Sequence, residues 1–344
     1  MKITKKKLDD IKRCYVTSSI SYDNKQHFIF SSEDPNVGCK SFSGDDFQIK
    51  EEIWKEPGGC MSIIPIPGKE KEILAIQEFY LKVSPSLSKL VWGKKIEDKW
   101  EFQDVLDLPY LHRFDLYKVD NKVYFIGATI ATSKEHKEDW TVPGRIYVGE
   151  IPDNLEEGIK VEIIKDGLYR NHGYCGDVNE KGIPCGYFGS DEGIYKVEPP
   201  TNGETKWKID KILNGTIGEI AIIDIDGDNE KEIMTIEPFH GNEIHIYKSI
   251  KDKWERVYTY ENEIEFAHSL TSGTLRGVPS FIAGVRRKDA ELFCVQYNNG
   301  KFITNVIDKG VGPANLFLVN QKHRDLILSA NHTANEAAIY VITD

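Results

Sequence analysis

The chain has 344 residues, 40% of them hydrophobic, and a net charge of -11. That length and apolar content suffice for one large all-β domain or two smaller domains, and the acidic balance argues against nucleic acid or an anionic membrane as a main partner. No stretch approaches the roughly 18 apolar residues of a membrane-crossing helix; the basic start MKITKKKLDDIKR lacks the apolar run of a signal peptide, and six scattered cysteines without a CxxC pair read as free thiols, so the expectation is a cytoplasmic protein.

A strand-like piece, residues 1–8, comes first. Residues 15–54 then hold four short β-branched or aromatic runs, YVTSSIS, HFIFSS, CKSFSG and FQIKEEIW. Runs this short, bounded by turn residues, are strands rather than helices. The same unit begins again at Cys60 with CMSIIPIPGK, followed by EILAI, KLVW and KWEFQDVL. It recurs at His112 (HRFDLYKVDN, KVYFI, RIYV, KVEIIK) and at His172 (HGYCGDVNEK, IPCGYF, GIYKV, KWKIDKIL). Glu219 opens the next copy (EIAIIDIDGD, EIMTI, IHIY, KWERVYTY), and His268 the one after (HSLTSGTLRG, PSFIAG, LFCV, KFITNVI). A last copy starts at Asn315 with NLFLVNQKHR, DLILSA and AIYVI, and reaches Asp344 without a fourth run.

Four strands recurring about every 50 residues is the pattern of a β-propeller blade. Seven starts predict an all-β, seven-bladed β-propeller of four-stranded blades, a single domain over residues 1–344. The unfinished last unit and the spare strand at residues 1–8 predict that the N-terminal strand closes the last blade, which removes two free sheet edges at once.

The turn after the fifth first strand reads DIDGDNEKE. Asp224, Asp226, Asp228 and Glu232 occupy its first, third, fifth and ninth positions. Alternating oxygen donors on a tight turn can wrap a hard cation. An EF-hand is excluded, because its glycine and final glutamate would fall on Asn229 and Thr235. The turn resembles the calcium loop of FG-GAP or VCBS-type repeats, as in integrin alpha-chain propellers. The resemblance implies Ca²⁺ at Asp224, Asp226, Asp228 and Glu232; a solvated acidic hairpin is the alternative. Asn229 stands where those repeats prefer glycine, and asparagine tolerates the left-handed backbone such a turn needs.

His112, His172 and His268 share one position, the start of an innermost strand, in three different units. Glu219 and Asn315 hold it in two more. Innermost strands line a propeller's channel, so these groups should converge at one end of it. The ends of the second strands return to that face, bringing Gln77 and Glu78, Glu237 and His240, Arg286 and Arg287, and Asn331 with His332. Imidazole and carboxylate suit Zn²⁺, Mn²⁺ or Fe²⁺, and metal held by ordinary imidazoles should be lost below pH about 6.5. The competing reading is a structural ring in which each histidine bonds a neighbouring blade. The other histidines, His27, His136, His245 and His323, are expected to face solvent. Residues 131–143 form an insertion on the histidine face, where Trp140 either covers a sugar ring or anchors the loop.

No phosphate loop, dinucleotide motif or GxSxG elbow is present. A histidine-held metal with arginine nearby resembles the propeller module of aldos-2-ulose dehydratase and the propeller-type oligogalacturonate lyases. That resemblance implies a metal-dependent lyase or dehydratase acting on a carbohydrate. In it His112, His172 and His268 would be metal ligands or base, with His332 a second ligand or base and Arg286 the anion partner. Glu219, Glu237, His240, Asn315, Asn331 and Trp140 would contact a small-molecule or oligosaccharide ligand. A non-catalytic module that holds a sugar or a protein is the other reading.

Overall fold

The burial of each strand follows its place in a blade. Second strands such as Glu232–Glu237 and Asp325–Asn331 are buried almost throughout. They are covered on both faces by neighbouring blades, which is why they read as unbroken apolar runs. Fourth strands such as Lys99–Asp107 and Lys301–Asp308 alternate exposed and half-buried residues. They lie at the perimeter, where the blades diverge and one face meets water.

The computed structural model describes residues 1–80, 84–201 and 203–344. It contains seven four-stranded antiparallel sheets. Six are simple meanders running from the channel outward, over residues 14–54, 63–107, 111–168, 173–213, 219–259 and 265–308, here blades 1 to 6. Blade 7 takes three strands from residues 313–343 and its outermost from Lys2–Asp10, which pairs antiparallel with Glu336–Thr343. The chain is therefore an all-β, seven-bladed propeller closed by its N-terminal strand. The innermost strand of blade 2 is short, Ile63–Pro65, because Pro65 and Pro67 have no N–H for the ladder. No helix among the described residues is long and apolar enough to cross a membrane.

One irregularity positions the site. The pairing of first and second strands slips between Cys14 and Val16, Leu111 and Arg113, Ala267 and Ser269, and Pro313 and Asn315. Tyr15, His112, His268 and Ala314 are the residues left out of register. A bulge re-aims the side chain it carries; repeated in blades 1, 3 and 6, it turns a tyrosine and two histidines toward the axis.

Candidate metal centre in the funnel

Tyr15, His112, His172, His240, His268 and Arg286 line one cavity of about 460 Å³ at the end of the channel where the innermost strands begin. His172 and His268 are held alike. The Nδ1 of His172 lies 2.8 Å from the Gly218 carbonyl, and that of His268 2.8 Å from the Ala314 carbonyl. A carbonyl only accepts, so each Nδ1 carries the proton and each Nε2 keeps its lone pair. Backbone orientation of an imidazole through its other nitrogen is the usual support of a metal ligand.

His240 joins them from the end of the second strand of blade 5. The chain turns sharply between Glu237 and Gly241, where a Cβ on Gly241 would lie 2.2 Å from the Glu237 carbonyl oxygen. His240 itself has φ 49°. Its ring is stacked against Phe239 at 3.8 Å and Phe266 at 4.5 Å. That places its Nε2 3.4 Å from the Nε2 of His172. Two nitrogens bound at roughly 2.0–2.1 Å to a tetrahedral zinc would stand about 3.4 Å apart. One nitrogen from each of His172, His240 and His268 lies within 4.8 Å of the others, so this group could hold an ion.

The structure thus brings His172 and His268 together with His240, a partner drawn from the second-strand ends, rather than with His112. The Nε2 of His112 lies 3.3 Å from the Tyr15 hydroxyl, and its Nδ1 has no partner. Tyr15 Oη is also 3.4 Å from the Nε2 of His268. Burial pushes the Tyr15 phenol up to about 12, so it keeps its proton and donates. Burial, with Arg113 second, lowers His172 to about 3, and burial puts His112, His240 and His268 well below the ordinary histidine range. All four are neutral at pH 7, the form that binds metals.

Behind the histidines the channel continues into a second cavity, lined among others by Arg113, Glu219 and Asn315. Glu219 is buried; its Oε2 accepts from Arg113 at 3.1 Å and lies 3.7 Å from His172 Nδ1. Burial raises its carboxyl to about 7 against the pull of Arg113. Asn315 faces this compartment and not the funnel. Asn331 is turned into blade 7, bonded to Ser329 and Glu336, and Glu237 accepts from Thr235 and Tyr247 within blade 5. Gln77 is buried and Glu78 pairs with Lys89; neither lines the funnel.

Arg286 and His332 do reach it. Arg286 Nη2 is 2.8 Å from His332 Nδ1 and 2.9 Å from its Nε2, and the guanidinium lies 4.9 Å from the Phe266 ring centre. His332 Nε2 is 2.6 Å from Glu33. Glu33 also accepts from Arg13 Nε at 2.8 Å. Burial works against its charge, but the His332 hydrogen bond and Arg13 hold it at about 2. Trp140 lines the funnel 5.1 Å from Phe239, with Lys134 Nζ 3.2 Å from its ring centre. Tyr15, Glu33 and Arg13 are funnel residues that sequence reasoning passed over. Two had a readable signal: Tyr15 opens the first unit's innermost strand as His112 opens the third's, and Glu33 follows the second strand as His332 does in blade 7.

Two further expectations change. His27 and His245 are buried, not solvent-facing. His27 stacks on Tyr22 at 3.8 Å, and His245 bonds Thr259 and Glu243. At the opposite end of the ring, Asp224, Asp226 and Glu232 each bring an oxygen within 4.8 Å of the others and could hold an ion. Asp224 caps the turn by accepting from Gly227 and Asn229, and Asn229 is left-handed at φ 71°. Lys248 stands among the carboxylates, its Nζ 2.6 Å from Asp226 and 2.7 Å from both Asp228 and Glu232.

No protein-family model and no curated protein matches the chain. Solved structures do. Sqt1 of Saccharomyces cerevisiae superposes with a TM-score of 0.58 at 9% identity, over 94% of this chain and 82% of that one. A putative 6-phosphogluconolactonase of Bacteroides fragilis gives 0.55 at 12% identity, over 92% and 87%. An ancestral GH74 enzyme gives 0.62 at 13% identity, over 96% of this chain but only 48% of that one. Likeness at such identities shows the propeller fold alone.

Proposed function

We propose that the funnel holds a divalent transition ion (Zn²⁺, Mn²⁺ or Fe²⁺) on His172, His240 and His268, and that the chain is a lyase or dehydratase acting on a carbohydrate in the cytoplasm. The observation that carries this reading is the fixing of His172 and His268 through Nδ1, which leaves their Nε2 lone pairs in the funnel, with the Nε2 of His240 3.4 Å from that of His172. Three imidazoles leave coordination positions open, the arrangement of a catalytic rather than a structural ion. Bound there, the ion would supply Lewis acidity toward a carbonyl or carboxylate oxygen.

The chain's own groups fit proton abstraction next to such an oxygen. Glu33, ionised, accepts the Nε2 proton of His332 and sets its tautomer. Burial keeps His332 neutral. The lone pair on Nδ1 is then the base, and it is masked by Arg286 at 2.8 Å until that side chain is drawn away. Tyr15, protonated, is a hydrogen-bond donor beside these groups, in the same blade as Glu33. Trp140, Phe239 and Phe266 give the funnel aromatic surface against which a sugar could pack. Those same rings favour the second reading, a module that holds a small molecule or oligosaccharide without turnover. Two of the similar folds are a putative 6-phosphogluconolactonase and a GH74 enzyme, which agrees with a carbohydrate ligand but assigns no chemistry. At the acidic turn the reading is Ca²⁺ in competition with Lys248.

Elemental analysis of the protein as purified tests the centre. A transition metal near one per chain is expected, reduced in His172→Ala, His240→Ala and His268→Ala and retained in His112→Ala. Because ligands of one ion act as a unit, a double mutant should lose little more than a single. Metal-free wild type, with mutants that are merely destabilised, would leave the histidines a structural role. Metal retained without turnover of keto or unsaturated sugars would favour the binding module.

A further inference from the structure

The charges around the funnel do not balance once an ion is placed there, and this bears on the ligand. The three imidazoles that would hold it are neutral, so a divalent ion brings two uncompensated positive charges. The funnel's arginines add more. Arg13 is paired with Glu33, and Arg287 with Glu265 at 2.7 Å. Arg286 has no carboxylate within salt-bridge distance among the described residues. Its side-chain hydrogen bonding there is to neutral His332 alone, through Nη2, and its guanidinium rests near Phe266. Nη1 and Nε donate to no protein group among the described residues, and the side chain lines the same cavity as His172, His240 and His268. Phe266 joins the two sites, its ring centre 4.9 Å from the Arg286 guanidinium and 4.5 Å from the ring centre of His240. The carboxylates lining the funnel are already engaged, Glu33 by Arg13 and His332 and Glu138 by Lys137, and Glu219 lies behind the histidines, taken by Arg113. A half-buried guanidinium beside a divalent ion repels it unless an anion comes between them.

We propose that the funnel binds its ion together with an oxyanion of the ligand seated on Arg286, so that the metal and an anionic sugar bind cooperatively and a neutral sugar does not. This rests on the metal reading above and goes beyond it by fixing the ligand's charge. An oxyanion satisfies the open N–H groups of Arg286 and neutralises the ion at the same time. By linkage each then tightens the other by the same factor. Drawing Arg286 toward the anion also withdraws it from His332 Nδ1.

The test is zinc affinity, measured by competition with a chromophoric chelator, alone and with glucuronate, glucose 6-phosphate or glucose. Either charged sugar should tighten zinc binding about tenfold or more, and glucose should leave it unchanged; which charged sugar acts more strongly says whether the oxyanion is a carboxylate or a phosphate. Arg286→Gln should bind zinc more tightly than wild type when no sugar is present, because a repulsion is gone, and should show no coupling. Arg286→Lys, which keeps the charge and guards against a folding defect in the first variant, should retain a weaker coupling. A residue that only braces the cavity would not produce tighter zinc binding on removal. Zinc that binds without coupling, or coupling that glucose matches or Arg286→Gln preserves, overturns the oxyanion claim and leaves the metal centre standing. Zinc that fails to bind in every condition overturns both.

Discussion

The five funnel histidines decide how this protein responds to acid, because burial has moved them all in one direction. For His172 the folded value is about 3 against an ordinary 6.5. Its pKa is lowered on folding, so the stability it supports is full above pH 6.5 and drains as pH falls toward 3. In that window the unfolded chain takes up a proton that the folded chain refuses. Each such group costs about 1.4 kcal/mol per pH unit within its window. Glu219 runs the other way. Its carboxyl is raised from 4.5 to about 7, so its contribution is full below pH 4.5 and is lost as pH rises through 7. One carboxyl offsets one imidazole, and His112, His240 and His268 are lowered as well. Metal-free protein should therefore lose stability to urea steeply between pH 6.5 and 4.5, and Glu219→Gln should lose it no less steeply. A urea midpoint that holds constant across that range would mean the imidazoles are wetter than the structure has them. The same displacement moves metal release: loss near pH 6.5, expected for free imidazole, should shift to more acidic pH. At this scale the sequence was legible where one register repeats, as for His112, His172 and His268. For His240 it showed the face but not the partnership with His172, because only the tight turn between Glu237 and Gly241 brings the two rings together.

The acidic turn of blade 5 shows what a strand-by-strand reading can and cannot see. The turn itself was legible, down to Asn229 in the left-handed region. Its counter-ion was not, because Lys248 lies on the third strand and meets the loop only through the sheet. Its ammonium contacts Asp226, Asp228 and Glu232 at 2.6–2.7 Å. Burial works against that charge, but the three carboxylates raise the lysine well above its usual range. Calcium would have to displace a tethered cation from three of its own ligands. Wild-type melting should therefore respond weakly to calcium, whereas Lys248→Gln should gain a few degrees on adding it, at roughly 1–2 °C per kcal/mol for a chain of this length. Asp226→Ala in that background should abolish the gain, and neither change should alter zinc binding at the other end of the channel. A strong calcium response in wild type, unchanged by Lys248→Gln, would show that the lysine does not compete. Strand boundaries elsewhere were readable because burial on one face or two leaves alternating or unbroken apolar runs. The four bulges were not, since one residue out of register leaves the apolar pattern of its strand almost intact.

For the whole ring, closure is the decisive contact. Six blades are continuous in sequence, so fluctuations within them leave the ring intact. Blade 7 alone joins the two ends of the chain, through the ladder from Lys2 paired with Thr343 to Asp10 paired with Glu336. The strand Lys2–Asp10 is mostly exposed, with Ile3 and Leu8 half-buried against the core on its two sides. Its ion pairs reach both neighbours, from Lys5 to Asp308 in blade 6 and from Lys40 and Lys50 in blade 1 to Asp9. Apolar burial there is small, so hydrogen bonding and edge protection supply most of its worth, roughly a few kcal/mol of a marginal total. Deleting residues 1–10 uncovers the strand Glu336–Thr343, whose residues are largely buried and apolar, as a free edge. The truncated chain should melt several degrees lower and self-associate as concentration rises. Faster hydrogen exchange should appear first in blades 7 and 1 and spread from there, because they flank the opened seam. The intact chain should show no such focus. An unchanged melting curve, with exchange still even around the ring, would mean that three strands close the seventh blade well enough and that the N-terminal strand is only a cover.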